Sequence, residues 1–368
     1  MRQGRRTHWL DAGLGPLLMA LLLLGSCSAP PAERAAAPAP PPAAPTQSPA
    51  PPALVPIRYA TQRPVSDAGI FIAHARGYFR EEGLDVDLVD VASANDMIPL
   101  LATGEIDTGG TAPIAAFFNA VARGVIIKTV AERGSNAPGH GYSAVVVRKD
   151  LIDSGRFQDF ADLRGKQIGV SPPVGGGGVS AELLVALDRG GVAWEEVEVK
   201  ALSLQELDLA LQGGSLDVIM GVEPWVSRAV QGGYGVRWKG VDEIYPNHML
   251  GGLAYSPVFA AQRPDAARAF MVAYVRAVRD YNDALRKGRD KDAIYSILTE
   301  YSTVKDRAVI ERMVLPGISP EPFVNRESVA RDLELFIRLG TVRERVDINQ
   351  LIDDQYVQFA VDKLGRYQ

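Results

Sequence analysis

Four loops carry the side chains suited to recognising a small molecule, and each lies where a short apolar run gives way to helical periodicity. The first holds Ser66 and Asp67, with Phe71 one turn further on. Its hydroxyl and carboxylate either cap the coming helix or reach a ligand, while the ring offers a face for stacking. The second is Thr108-Gly109-Gly110-Thr111, whose small residues and free amides suit either a tight turn or close approach of backbone to a ligand. The third runs from Pro172 to Ser180 through four glycines; Gly176, Gly177 and Gly178 precede a helix whose first amides can cradle an anion or a carbonyl oxygen. It is not a P-loop, because no Gly-Lys-Ser/Thr follows. The fourth, Gly221 to Trp225, sets Glu223 before a proline that starts a helix. That acid either caps the helix or faces the ligand, where it would accept from a ring N–H and repel an anion. Trp225 belongs either to the core or to a surface on which a flat heterocycle stacks. Tyr142 and Tyr255 complete the aromatic set.

An alternating α/β chain is what brings such loops together. Strands are expected at 57–60, 86–91, 107–109 and 126–131, with helices over 70–82, 96–103 and 113–123 between them. The glycines Gly83, Gly104 and Gly124 mark the helix ends. The order then restarts with strands at 168–171, 197–202 and 218–220 and helices over 180–189 and 204–211. Leu101-Ala-Thr-Gly104-Glu-Ile-Asp107 before Pro113 parallels Leu211-Gln-Gly-Gly214-Ser-Leu-Asp217 before Pro224, so the two halves share one local plan. Two lobes follow, 54–143 plus 252–368 and 144–251, with the apolar runs 142–147 and 250–255 between them read as strands and expected to be the hinges. Helices over 266–285, 291–300, 304–313, 327–339 and 348–364 should complete the first lobe.

The 368 residues carry 39 basic and 44 acidic side chains, a net charge of -5, which gives no basic stripe for nucleic acid. The single cysteine, Cys27, excludes a disulfide framework, a four-cysteine zinc site and a cysteine nucleophile in the folded body. His74, His140 and His248 have no neighbours spaced as metal ligands, and no metal or cofactor is expected. Arg2, Arg5 and Arg6 precede an apolar stretch, Leu14 to Leu24, too short to span a bilayer and laid out as a secretory signal. Residues 1–26 are therefore expected to be removed. Leu24-Gly-Ser-Cys27 resembles a bacterial lipobox, which implies lipidation at Cys27 and a membrane anchor. Residues 28–53, almost all Ala and Pro, form a spacer with no apolar face to pack.

The run Gly69-Ile-Phe-Ile-Ala-His-Ala-Arg-Gly-Tyr-Phe-Arg-Glu-Glu-Gly-Leu-Asp-Val, then Leu101-Ala-Thr-Gly-Glu-Ile-Asp and Phe118-Asn-Ala-Val-Ala-Arg-Gly-Val, resembles the substrate-binding proteins of ABC importers. The branch is the one that holds nitrate, taurine and alkanesulfonate binders and proteins similar to the fungal thiamine-pyrimidine synthase. The resemblance covers roughly residues 55–290. It implies a type II periplasmic-binding-protein fold, two α/β lobes with a cleft between them, and a monomer that docks on a permease and its ATPase outside the cytoplasm. In a two-membrane cell that place is the periplasm. Within this resemblance the glycine-rich third loop, Glu223 and the rings of Phe71, Tyr142, Trp225 and Tyr255 favour a heterocyclic vitamin or precursor. Riboflavin is the first expectation and the thiamine pyrimidine the second. A taurine, alkanesulfonate or nitrate site is the alternative, served by Arg63 if it points inward. A biosynthetic enzyme like the fungal synthase is the alternative of another class, although the resemblance implies a fungal chemistry that uses cysteine-rich and histidine elements, and this body has no cysteine beyond Cys27.

Overall fold

The structure is a computed structural model that describes residues 53–171 and 174–368. The signal segment, Cys27 and the spacer up to Pro52 lie outside the described residues, as do Pro172 and Pro173 of the third loop.

Strand β1 (Val55–Thr61) leads through a short 3-10 turn into α1 (Ala68–Ala75) and α2 (Tyr78–Glu81). The single helix expected over 70–82 is broken at Gly77, whose φ of 75° is the left-handed conformation that glycine adopts without penalty. Next come β2 (Leu84–Asp90), α3 (Ala94–Thr103), β3 (Thr108–Thr111), α4 (Ala115–Ala122) and β4 (Lys128–Asn136). Helix α3 starts on the Ser93 side chain, which accepts from the Asp96 amide, and ends on Gly104 at φ 78°. Strand β4 runs five residues past the expected Ala131, because residues 132–136 find partners on a later strand.

The chain then builds β5 (Ser143–Arg148), α5 (Lys149–Asp153), β6 (Gln167–Val170), α6 (Gly178–Gly190), β7 (Glu198–Ala201) and α7 (Leu204–Gln212). It continues through β8 (Val218–Val222), α8 (Trp225–Gln231), β9 (Gly235–Gly240) and α9 (Val241–Ile244), and returns as β10 (His248–Tyr255). The remaining elements are α10 (Pro257–Gln262), α11 (Pro264–Lys287), α12 (Lys291–Tyr301), α13 (Arg307–Arg312), α14 (Arg326–Arg338) and α15 (Gln355–Leu364).

Two five-stranded sheets result, ordered β2-β1-β3-β10-β4 and β7-β6-β8-β5-β9. Each has the same plan. Three strands run parallel, and a fourth, β10 or β5, packs antiparallel between the third and the fifth. The segments 142–147 and 250–255 form strands as expected, supplying β5 from Ser143 onward and much of β10, each an interior strand hydrogen-bonded on both sides within its own sheet. The crossings are made by residues 137–142 and 245–247, and the first sheet regains the chain at His248 rather than at 252.

The repeated phrase has a physical reason. Asp107 Oδ2 accepts the Arg58 amide at 2.8 Å, and Asp217 Oδ2 accepts the Gln167 amide at 3.0 Å, so each aspartate pins the start of a third strand to the first strand of its own sheet. An arginine steadies each: Arg263 pairs with Asp107, and Arg148 with Asp217 at 3.2 Å.

Helix α11 closes the first lobe, burying Phe270, Met271, Tyr274, Val278 and Tyr281 against the β-sheet and α1. Each such side chain contributes about 1.5–3 kcal/mol by leaving water. A second core is continuous across both lobes and includes Phe118 of α4, Val145 of β5, Leu183 of α6 and Phe336 of α14.

Candidate ligand-binding cleft

A cavity of about 500 Å³ lies between the lobes, where strand-to-helix loops of both sheets converge. Of the residues expected to meet a ligand, it brings together Ser66, Gly110, Thr111, Tyr142, Gly177, Gly178, Glu223 and Trp225. Asp67, Phe71, Thr108 and Gly176 do not line it, nor do Arg63 and Tyr255.

The excluded residues each have another task. Phe71 is fully buried and stacks on Tyr301 at 6.0 Å, because its side of α1 faces α12 rather than the cleft. Tyr255 sits in the core and donates from its hydroxyl to the Ala267 carbonyl at 2.8 Å. Thr108 is buried at the head of β3, between β1 and β10. Gly176 gives its carbonyl to the Ala115 amide at 2.9 Å, which ties the glycine loop of one lobe to α4 of the other. Arg63 pairs with Asp90.

Asp67 makes no side-chain cap on α1. Its carboxylate accepts from Tyr59 Oη at 2.9 Å, from Thr61 Oγ1, and from Arg133 Nη1 at 2.7 Å. Arg133, in the part of β4 that sequence periodicity missed, is the cation of the cleft floor and also donates to Ser66 Oγ at 3.0 Å. Two glycines make its slot. A Cβ on Gly110 would lie 2.9 Å from Arg133 Nε, and one on Gly251 would lie 2.5 Å from Nη2. The Nε itself is buried without a hydrogen-bond partner among the described residues.

A second buried network joins the lobes behind the cavity. His248 Nδ1 donates to Glu182 Oε1 at 3.0 Å and Nε2 to Asp332 Oδ2 at 3.2 Å, bringing together β10, α6 and α14. Asn136 donates to the same Glu182 oxygen at 3.0 Å and accepts the Ser143 amide at 3.0 Å, so both crossings pass through one cluster. Burial opposes a charge on His248, but the Asp332 and Glu182 carboxylates outweigh it and push the imidazole up to about 10. With protons on both ring nitrogens, it has no lone pair for a metal. Glu182 Oε2 is left buried without a partner among the described residues.

Glu223 is occupied at both oxygens. Oε2 accepts the Ser227 amide at 3.0 Å, capping α8, while Oε1 accepts the Val314 amide of the other lobe at 3.2 Å. Tyr142 keeps its phenol proton, since burial and the nearby Glu223 charge push its pKa up. Trp225 stands half-buried in the first turn of α8 with the Arg228 guanidinium 5.4 Å from its ring. Sequence reasoning missed Arg133, Glu182 and His248 as cavity residues, and also Ser93, Asn95 and Ser143 on its wall. Only the Ser93 cap signal could have suggested any of them.

Comparisons with known proteins agree with this architecture. The aliphatic sulphonate binding protein SsuA from Escherichia coli superposes with a TM-score of 0.65 at 20% identity, over 83% of this chain and 99% of that one. The fold is therefore the two-lobe α/β fold of periplasmic binding proteins. The riboflavin-binding protein RibY of Chloroflexus aurantiacus is 27% identical over 277 residues, 72% of each chain. The 4-amino-5-hydroxymethyl-2-methylpyrimidine phosphate synthase THI11 of Saccharomyces cerevisiae is 34% identical over 100 residues, and the match spans only 27% of each protein's length. The family described as NMT1/THI5 like matches residues 65–283, more than half of the molecule, and the chain belongs to that family.

Proposed function

We propose that the protein is the ligand-capturing component of an ABC importer, held at the outer face of the membrane by lipid on Cys27, and that its cargo is a small uncharged heterocycle. One observation carries the choice of cargo: both cations on the cavity wall, Arg133 and His248, are already matched by carboxylates, Asp67 for the first and Glu182 with Asp332 for the second. A nitrate or sulfonate entering the cleft would meet no surplus positive charge. Arg63, the cation that could have served it, pairs with Asp90 away from the cavity. Arg133 Nε offers one unused donor and Glu182 Oε2 one unused acceptor. A cargo carrying both an acceptor and an N–H matches this donor and acceptor in kind.

Riboflavin is the first candidate, supported by the likeness to RibY, and the thiamine pyrimidine is the second. The indole of Trp225 supplies the stacking surface, a contact worth about 1 kcal/mol. Capture works by closure: a ligand held by both lobes favours the closed form, and the permease reads that form. The protein acts as a monomer in this scheme.

Thermal melting of the purified protein against riboflavin, the thiamine pyrimidine, taurine and nitrate tests the cargo. At about 100 times its dissociation constant the true ligand adds ~2.7 kcal/mol of stability. A melt that moves only with taurine or nitrate overturns the proposal. The anchor is tested separately, since Cys27→Ser should move the protein from the membrane fraction to the soluble one.

A further inference from the structure

We propose that the cleft continues past Trp225 into a second subsite, which takes an uncharged, hydroxyl-bearing chain attached to the ring. The inference rests on the reading of the inner cavity as a heterocycle site. A second cavity, of about 700 Å³, adjoins the first, and the two share Pro224, Trp225, Thr303 and Val304 as a common neck. A ring stacked on the indole at that neck therefore has room for a substituent on its outward side.

The chemistry of the outer wall selects the substituent. Its charges balance by sign, Arg228 and Lys305 against Asp208 and Asp306, although Lys305 itself has no carboxylate partner among the described residues. Arg228 Nε lies 3.0 Å from Asp208 Oδ2, Lys305 Nζ donates to the Glu300 carbonyl at 2.6 Å, and Asp306 Oδ1 accepts the Ala308 amide at 2.8 Å. The side chains of Gln212, Ser227 and Gln231, which also line it, make no hydrogen bonds among the described residues. Amides and a hydroxyl each donate and accept, and so do the hydroxyls of a polyol. A phosphate would instead need a surplus of positive charge, which a wall with Asp208 and Asp306 beside Arg228 and Lys305 does not supply.

The two walls come from different lobes. Gln212, Ser227 and Gln231 belong to the second, while residues 303–309 follow α12 on the first. A chain seated there touches both, so its length would bear on closure as well as on affinity.

Titration calorimetry of the full-length protein with riboflavin, lumiflavin and riboflavin phosphate tests this, since lumiflavin has the same ring with a methyl group in place of the polyol. Riboflavin should bind at least about tenfold more tightly than lumiflavin, as expected for two or more net hydrogen bonds. The double variant Gln212→Ala/Gln231→Ala should remove most of that advantage and leave lumiflavin affinity unchanged. Equal binding of the two flavins by the wild type, or equal weakening by the variant, overturns the subsite. Tighter binding of riboflavin phosphate overturns its uncharged character. If no flavin binds, the subsite falls, while the heterocycle reading is decided separately by the thiamine pyrimidine in the melting test.

Discussion

His248 and Glu182 meet at 3.0 Å between the strand that returns to the first sheet and the opening turns of α6 in the second lobe. The contact is a charge-assisted bridge across the molecule, completed by Asp332. Its pH behaviour follows from the direction of the shift. A base whose folded pKa is raised adds stability that is complete below its unfolded value of about 6.5 and disappears as pH climbs toward about 10. Thermal melts from pH 6 to 10 should fall by the equivalent of a few kcal/mol, and His248→Gln should flatten that slope. An unchanged slope in the variant would remove the charge from this bridge.

Glu132 gives a second, lower window. Burial pushes its carboxyl up to about 7, against the Ser319 amide and the Ser135 hydroxyl that favour the anion. A raised acid contributes most below about 4.5 and loses that contribution as pH rises through 7, up to about 3 kcal/mol. Glu132→Gln should therefore be more stable than the wild type at pH 8 and close to it at pH 4.5. Urea midpoints at the two pH values decide the matter.

Arg133→Ala leaves Asp67 as a buried carboxylate without its cation, and a cost of about 3–5 kcal/mol is expected. Adding Asp67→Asn to the same chain should recover much of the loss, because the orphaned charge is gone. Additive losses in the double variant would mean that the pair is not coupled.

Gly110→Ala probes the slot without touching a charge. The new methyl would sit 2.8 Å from Tyr59 Oη and 2.9 Å from Arg133 Nε, so the guanidinium must shift. A loss of about 1–3 kcal/mol in stability is expected, together with a marked loss of ligand affinity in the protein that still folds. Retained affinity would take Arg133 out of recognition.

Two aromatic truncations should separate cleanly. Phe71→Ala should cost about 3–5 kcal/mol in folding and leave the affinity of the folded protein alone, since the ring lies in the core. Trp225→Ala should spare folding and weaken flavin binding by about 1 kcal/mol, with loss of mutual fluorescence quenching. The reverse pattern would exchange their roles.

These contrasts mark what could be read from residue order and what could not. Period and punctuation revealed the alternating elements: Gly83, Gly104 and Gly124 all adopt positive φ, between 78° and 87°. Strand ends and the turns and helix starts that follow them reached the cavity at Ser66, Gly110, Thr111, Gly177, Gly178 and Trp225, because topology alone aims them there. Gly110 and Thr111 nevertheless belong to β3 and not to the expected loop. Phe71 failed for lack of phase, since nothing local says that its face of α1 turns to Tyr301. Arg133 failed because Ala131-Glu-Arg-Gly-Ser reads as a strand end, while its partner Asp67 lies 66 residues away. His248 failed the same way, with carboxylates 66 and 84 residues distant. Ion pairs between remote segments leave no periodic trace.

The niche bounded by Gly110 and Gly251 also constrains how such a binder can diversify. Either glycine can gain a side chain only by displacing the guanidinium from its slot, and the arginine can be lost at small cost only if its aspartate changes as well, so the floor resists single-step change. Ser93, Asn95 and the outward glutamines stand under no such joint obligation. New cargo preferences in descendants of this protein should therefore accumulate at the rim first, with the base of the cleft kept as inheritance.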